Sequence, residues 1–179
     1  MKTKTGRDGF TLIELLVVIS IIAILAGILL PTISRSMQKA EKTQAISDIG
    51  SLVTAVKAYY ADYGRYPFDN GRSSDTHCGE SGTSNRELMN VLRGIDGAGN
   101  SGHENNIRKI SYLDLSEQRL DVNGNFVDPW DQQYGVSFDT GFNNTVNNIP
   151  GFSDADGQNV VAWSLGVPDR DEPIKSWEE

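Results

Sequence analysis

The sequence predicts an α+β protein: a long N-terminal helix, half membrane-spanning and half amphipathic, packed on a small antiparallel β-sheet head. Three observations carry this expectation. Residues 10–30 form a nearly unbroken apolar run, apolar residues then recur at alternating spacings of three and four as far as residue 63, and two strand-like segments lie late in the chain at 133–138 and 159–165.

The apolar run comes first. Phe10 to Leu30 is 21 residues, about 31 Å of helix at roughly 1.5 Å per residue, which matches the roughly 30 Å hydrocarbon core of a bilayer. From Leu15 to Leu30 the one polar side chain is Ser20. Glu14 therefore stands out, because a carboxylate in lipid costs about 2.5–3.5 kcal/mol at the centre of a helix and less near its end, so such a residue usually has a partner and a job. Ahead of it, Met1 to Gly9 carries Lys2, Lys4 and Arg7 against one acid, Asp8.

A basic leader ending in glycine, an apolar residue directly after it and a glutamate four positions further on resemble the class III signal of prepilins. The match extends to Pro31 at the end of the run, and the chain is identified as similar to type IV pilins and type II secretion pseudopilins. The resemblance implies cleavage by prepilin peptidase between Gly9 and Phe10, N-methylation of Phe10, and an assembly role for Glu14. An ordinary secretory signal fits less well, since the apolar core exceeds 7–15 residues and Leu25-Ala26-Gly27 is a poor cut site. A plain single-pass anchor fits the length but leaves Glu14 and the Gly9-Phe10 junction unexplained.

Cleavage before Phe10 creates an ammonium at the membrane face, and a charge removed from water is tolerated when paired. Glu14 is the expected partner; if the ammonium is a neighbouring subunit's, the pair sets the axial step of a helical filament. Positive-inside counting does not orient the span, because Arg35, Lys39 and Lys42 balance the leader from the other end. An inner-membrane anchor with a periplasmic head is implied by the resemblance alone.

Beyond Pro31, Ile46, Ile49, Val53, Val56, Tyr60 and Tyr63 predict one apolar stripe on an amphipathic helix, ended by Gly64 and Pro67. The chain thus reads as a leader at 1–9, a transmembrane and amphipathic helix at 10–63, and a globular head at 64–179. The head carries nine basic against nineteen acidic side chains, a net of −10, which accounts for more than the whole chain's −8. That sign argues against nucleic acid as the head's partner.

Within the head, Ser84 three residues before Glu87 is a capping-box pattern that starts a helix at about Asn85 to Arg93, with Gly94 as the stop. Asp96 to Asn106 reads as a loop, and Lys109 to Leu115 as a short strand or covering segment. Gln133 to Phe138 places Tyr134, Val136 and Phe138 on one face, and Asn159 to Leu165 is a compact apolar run; the two are expected to pair antiparallel and lay a sheet on the amphipathic half of the long helix. Cys78 is the single cysteine, so an intramolecular disulfide is excluded, and with it the disulfide-closed loop of many adhesive pilins. Cys78 lies in a loop-like stretch, and with His77 and His103 it makes a poor zinc pattern.

Two segments resemble the major pseudopilin of type II secretion: Tyr59 to Pro67 at the helix end, and Asp128-Pro129-Trp130 followed by Tyr134 at the turn into the sheet. Trp163-Ser164-Leu165-Gly166 is similar to the entry of that family's calcium loop, which implies Ser164, Leu165, Asp169, Asp171 and Glu172 as ligands. The continuation Val167-Pro168-Asp169-Arg170 departs from the family pattern, and residues 69–125 form an insertion longer than its usual head. No cofactor other than calcium is implied. Gly97 to Gly102 satisfies GxGxxG without a preceding strand, no GxSxG occurs, and the two histidines sit in polar loops, so the chain reads as a non-enzyme.

The expected function is that of a structural subunit polymerising with itself and with minor pseudopilins on an inner-membrane assembly platform, into a pseudopilus that drives protein export. A type IV pilus subunit for adhesion, motility or DNA uptake is the alternative. A membrane-anchored periplasmic binding domain that never polymerises is the other.

Overall fold

The computed structural model of the chain describes residues 10–69, 75–79, 84–168 and 172–177. Its first element, α1 (Leu12–Tyr63), runs through Pro31 without a break. The chain divides into two compact units, Met1–Ala40 and Glu41–Glu179, and α1 contributes to both.

In the first unit the apolar side chains from Leu12 to Leu30 point outward with nothing packed over them. The span passes the length and composition criteria for crossing a membrane. Ser20, its one interior polar residue, turns its hydroxyl back to the Leu16 carbonyl at 2.7 Å, and Thr32 and Ser36 do the same to Ile28 and Thr32 at 3.1 and 3.0 Å. A helix whose hydroxyls are satisfied along its own backbone presents only hydrocarbon to a bilayer. Pro31 has no N–H for the Gly27 carbonyl, and the Thr32 hydroxyl lies just past that gap.

In the second unit α1 buries Ala45, Ile49, Leu52, Ala55, Val56 and Tyr59. The expected stripe is therefore displaced around the helix: Ile49 and Val56 belong to it, whereas Ile46 is 53% exposed and Val53, Tyr60 and Tyr63 are half-buried flanks. A pattern built on the largest side chains passed over Ala45 and Ala55, whose small size lets the rest of the unit approach the helix closely. The helix ends at Gly64 with φ +66, its N–H bonded to the Tyr60 carbonyl at 2.8 Å.

The main sheet has the order β1-β2-β5-β6, entirely antiparallel, from β1 (Thr76–Cys78), β2 (Gly135–Phe138), β5 (Val160–Ser164) and β6 (Ile174–Lys175). The expected pairing of the two late strands is present, with Val136 opposite Ala162 and Phe138 opposite Val160. Tyr134, Val136, Phe138, Val160 and Ala162 join the buried face of α1 in the main core. Cys78 lies in β1 rather than in a loop; its pairing with Val136 has no periodic signal in a three-residue strand. The opposite face of the sheet is covered as well. Val161 and Trp163 pack there against Val146, Ile149 and Ala155, which β3 (Thr145–Val146) and β4 (Ala155–Asp156) carry or flank. Two-sided burial is why 159–165 reads as a continuous apolar run instead of an alternating one. Gly135 stands opposite Trp163, and a Cβ there would collide with the indole ring.

Described residues of the 69–125 segment also belong to this core. The second helix, α2 (Arg86–Arg93), buries Leu88, Met89, Val91 and Leu92, and Gly94 closes it at φ +68. The expected capping box is not formed: Asn85 is the N-cap with helical dihedrals, and Ser84 gives its hydroxyl to Asn125. Asn85 instead clamps onto the segment that leads into β2, donating to the Phe126 and Tyr134 carbonyls at 2.8 and 2.9 Å and accepting the Phe126 N–H at 2.9 Å. Residues 109–115 form no strand; they cover α2, with the N–H groups of Tyr112 and Leu113 on the Leu92 carbonyl. Asp48 of α1 ties the layers together, accepting from the Tyr134 hydroxyl at 2.6 Å and pairing with Arg119. Burial first, then the Asp48 carboxylate, pushes the Tyr134 phenol well above its ordinary value.

Candidate functional site

Phe10 is 75% exposed at the start of the described chain, and Gly9 lies outside the described residues. Thr11 precedes the first helical residue, Leu12, and so occupies the N-cap position. Its hydroxyl accepts the Glu14 N–H at 3.3 Å, while its own N–H and hydroxyl both donate to Glu14 Oε2, at 2.8 and 2.7 Å. This is a reciprocal capping box. It places a carboxylate in the first turn, where the partial positive charge of the helix N-terminus favours it.

Thr11 is the residue that reading the sequence for Glu14 alone passed over; the Thr-x-x-Glu spacing was its signal. The geometry also leaves chemistry unused. Glu14 Oε1 accepts no hydrogen bond among the described residues, so one carboxylate oxygen is left unused four residues beyond Phe10.

The implied calcium ligands are placed differently. Ser164 is fully buried and its hydroxyl donates to Asp128 Oδ2 at 2.6 Å while accepting the Gly166 N–H at 3.0 Å. Asp128 Oδ1 meanwhile accepts the N–H groups of Trp130 and Gln132, each at 2.9 Å, and Gln132 reaches the Gly166 carbonyl at 3.2 Å. The Asp-Pro-Trp turn and the Ser164–Gly166 segment are therefore one hydrogen-bonded corner, and the Ser164 hydroxyl is buried within it. Leu165 packs against the cluster around Val161 and Trp163, Glu172 is exposed, and Asp169 and Asp171 lie outside the described residues. Among the described residues no three His, Cys, Asp or Glu side chains stand together as a metal cluster.

Cys78 and His77 are structural neighbours in β1. Burial pushes the Cys78 thiol up to about 12, so it carries no thiolate near neutrality. Burial likewise lowers His77, whose Nδ1 is 2.8 Å from the Ser137 hydroxyl on the paired strand.

A capped apolar helix with an acid in its first turn, followed by an α+β head, is the arrangement the prepilin resemblance implies, and comparison with known proteins finds the same likeness. The family model for the prokaryotic N-terminal methylation motif matches residues 4–30. Among curated proteins, the chain is 42% identical over 64 residues to a type II secretion system core protein G from Aeromonas hydrophila, covering 36% of this chain and 45% of that one. It is 40% identical over 70 residues to the core protein G of Escherichia coli K12, covering 39% and 48% respectively. A fimbrial protein, EcpC of Eikenella corrodens, is 36% identical over 99 residues, 55% of this chain and 61% of that one. The chain spans about half the length of the curated relatives it matches. No solved structure matches. The chain is thus similar, over part of its length, to type II secretion core protein G and to a fimbrial protein.

Proposed function

We propose that this chain is the precursor of a pseudopilin that is cut between Gly9 and Phe10, methylated on Phe10, and polymerised through its N-terminal helix into a periplasmic pseudopilus serving protein export. The observation that carries this is the Glu14 carboxylate: it sits in the first turn of an apolar helix, is held there by Thr11, and keeps one oxygen free. In the filament that oxygen takes the methylated ammonium of Phe10 from a neighbouring copy. A buried ion pair of this kind acts on registry more than on net stability, because a subunit offset by one position leaves both charges unpaired in lipid.

Prepilin peptidase, minor pseudopilins, an inner-membrane assembly platform and lipid are the partners this role requires. The similarity to core protein G favours secretion, and the longer match to a fimbrial protein keeps a surface pilus as the second reading. Cross-linking in membranes tests the proposal. A ladder of oligomers for the wild-type chain that disappears for Glu14→Ala, with insertion and cleavage intact, is the expected result. Monomers throughout would mean a tethered domain that does not polymerise.

A further inference from the structure

Next to the C-terminal half of α1, the loop after β2 encloses a concavity of about 290 Å³ that no filament role requires. Its wall is three aromatic rings. Tyr60 and Tyr66 are 4.6 Å apart between centroids, and Phe142 lies 6.2 Å from Tyr66 at an interplanar angle of 24° and 6.4 Å from Tyr60. Tyr66 is 4% exposed and stacks on Phe138 of the core, so the wall is rigid. Phe142 is 58% exposed and has φ +52, a left-handed conformation rare for a bulky side chain.

The loop is tied to hold it so. The buried Asp139 carboxylate accepts the N–H groups of Asn143 and Asn144 at 3.3 and 2.7 Å, and Asp75 accepts that of Gly141. The left-handed backbone at Phe142 is thus fixed by the loop, and it leaves more than half of the ring open beside Tyr60.

The rim selects the chemistry. The side chains of Lys57, Asn144 and Asn159 line the concavity and make no hydrogen bond among the described residues. Together they offer an ammonium and two amides, each amide both donor and acceptor. An organic cation would meet the Lys57 ammonium, and an anion would meet the Asp139 carboxylate. A neutral ring with C–H groups on one face and hydroxyls around its edge suffers neither repulsion: its face lies on aromatic rings and its hydroxyls reach the rim. The volume is at the lower edge of the roughly 300–1,000 Å³ typical of small-ligand sites, enough for one or two pyranose rings.

We propose that this concavity is a saccharide-binding site, with Tyr60 and Phe142 as the platform, Tyr66 packed behind them, and Lys57, Asn144 and Asn159 as the hydroxyl-reading rim. The site is independent of filament assembly, and its failure would leave that reading untouched.

Saturation-transfer NMR on the full chain in amine-oxide micelles, which contain no sugar, tests it with maltose, cellobiose, lactose and diacetylchitobiose at about 10 mM, enough to populate a millimolar site. Transfer to the ring C–H protons of at least one disaccharide is expected. It should fall at least about tenfold in Phe142→Ala and in Asn159→Ala, two exposed positions, and persist in Val122→Ala, a fully exposed residue that does not line the concavity. No transfer from any of the four, or equal transfer in Phe142→Ala, would overturn the proposal.

Discussion

Replacing Glu14 with glutamine, and separately Thr11 with valine, separates the helix cap that the Glu14 carboxylate forms from the ion pair proposed for it. Thr11→Val removes the hydroxyl that accepts the Glu14 N–H and donates to Oε2, but keeps the charge and the backbone bond from the Thr11 N–H. Loss of an N-cap costs about 1 kcal/mol, roughly a fivefold shift in the local helix equilibrium. Glu14→Gln keeps an amide oxygen for the cap and removes the charge. If a neighbour's ammonium is left unpaired in lipid, the cost is that of breaking a buried pair, about 3–5 kcal/mol, or roughly two to four orders of magnitude per interface at 1.36 kcal/mol per decade. The assay is the cross-linked oligomer ladder from membranes, with mass spectrometry of the N-terminus to confirm cleavage and methylation. Thr11→Val should shorten the ladder slightly and Glu14→Gln should abolish it. Equal effects of the two variants would show that Glu14 serves only as a cap; a normal ladder from Glu14→Gln would refute the ion pair outright.

Three further predictions concern the head. Gly135→Ala drives a methyl into the Trp163 ring and should cost about 1–3 kcal/mol, the usual range for overpacking, read by denaturant unfolding; an unchanged midpoint would mean the indole moves freely. Asp62 is held below its ordinary value of 3.8, chiefly by the Tyr112 hydroxyl and also by Arg108. Because the folded value is the lower one, its contribution is complete above about pH 4 and is lost as pH falls through the folded value. Tyr112→Phe should therefore raise the Asp62 titration seen by carboxyl NMR, and an unaltered titration would remove Tyr112 as the cause. Calcium at Asp169, Asp171 and Glu172, with a Leu165 carbonyl, predicts a higher thermal midpoint in calcium than in chelator; identical midpoints would dispose of that ligand set.

The N-terminal half was legible because its signals are local. Length, apolarity and one misplaced acid are read within a few turns of a single helix, and even the missed capping box is a four-residue pattern. The strands at 135–138 and 160–164 were legible for the same reason, through period-two alternation and a bounded apolar run. The core face of α1 was read one position off because the packing partner selects the face: Ala45 and Ala55 are central only where another layer comes close enough to need them small.

Elsewhere the partner was the whole signal. Ser84 and Glu87 match a capping box, yet Asn125 and the segment that leads into β2 take over the start of α2 from some forty residues away, outweighing a local preference of about 1 kcal/mol. Cys78 became a strand residue only by lying beside Val136. The aromatic wall at Tyr60, Tyr66 and Phe142 joins a helix, a turn and a loop that no spacing rule connects.

What the order of residues decided alone is the membrane-length helix and the acid at its start, since both depend on helical periodicity and the cost of charge in hydrocarbon. What only the folded head decided is which face of α1 is buried, that α2 belongs to the core, and that three distant rings share one concavity. Those outcomes depend on contacts between residues far apart in the chain, and such contacts are chosen by shape and by which polar groups would otherwise be left unpaired.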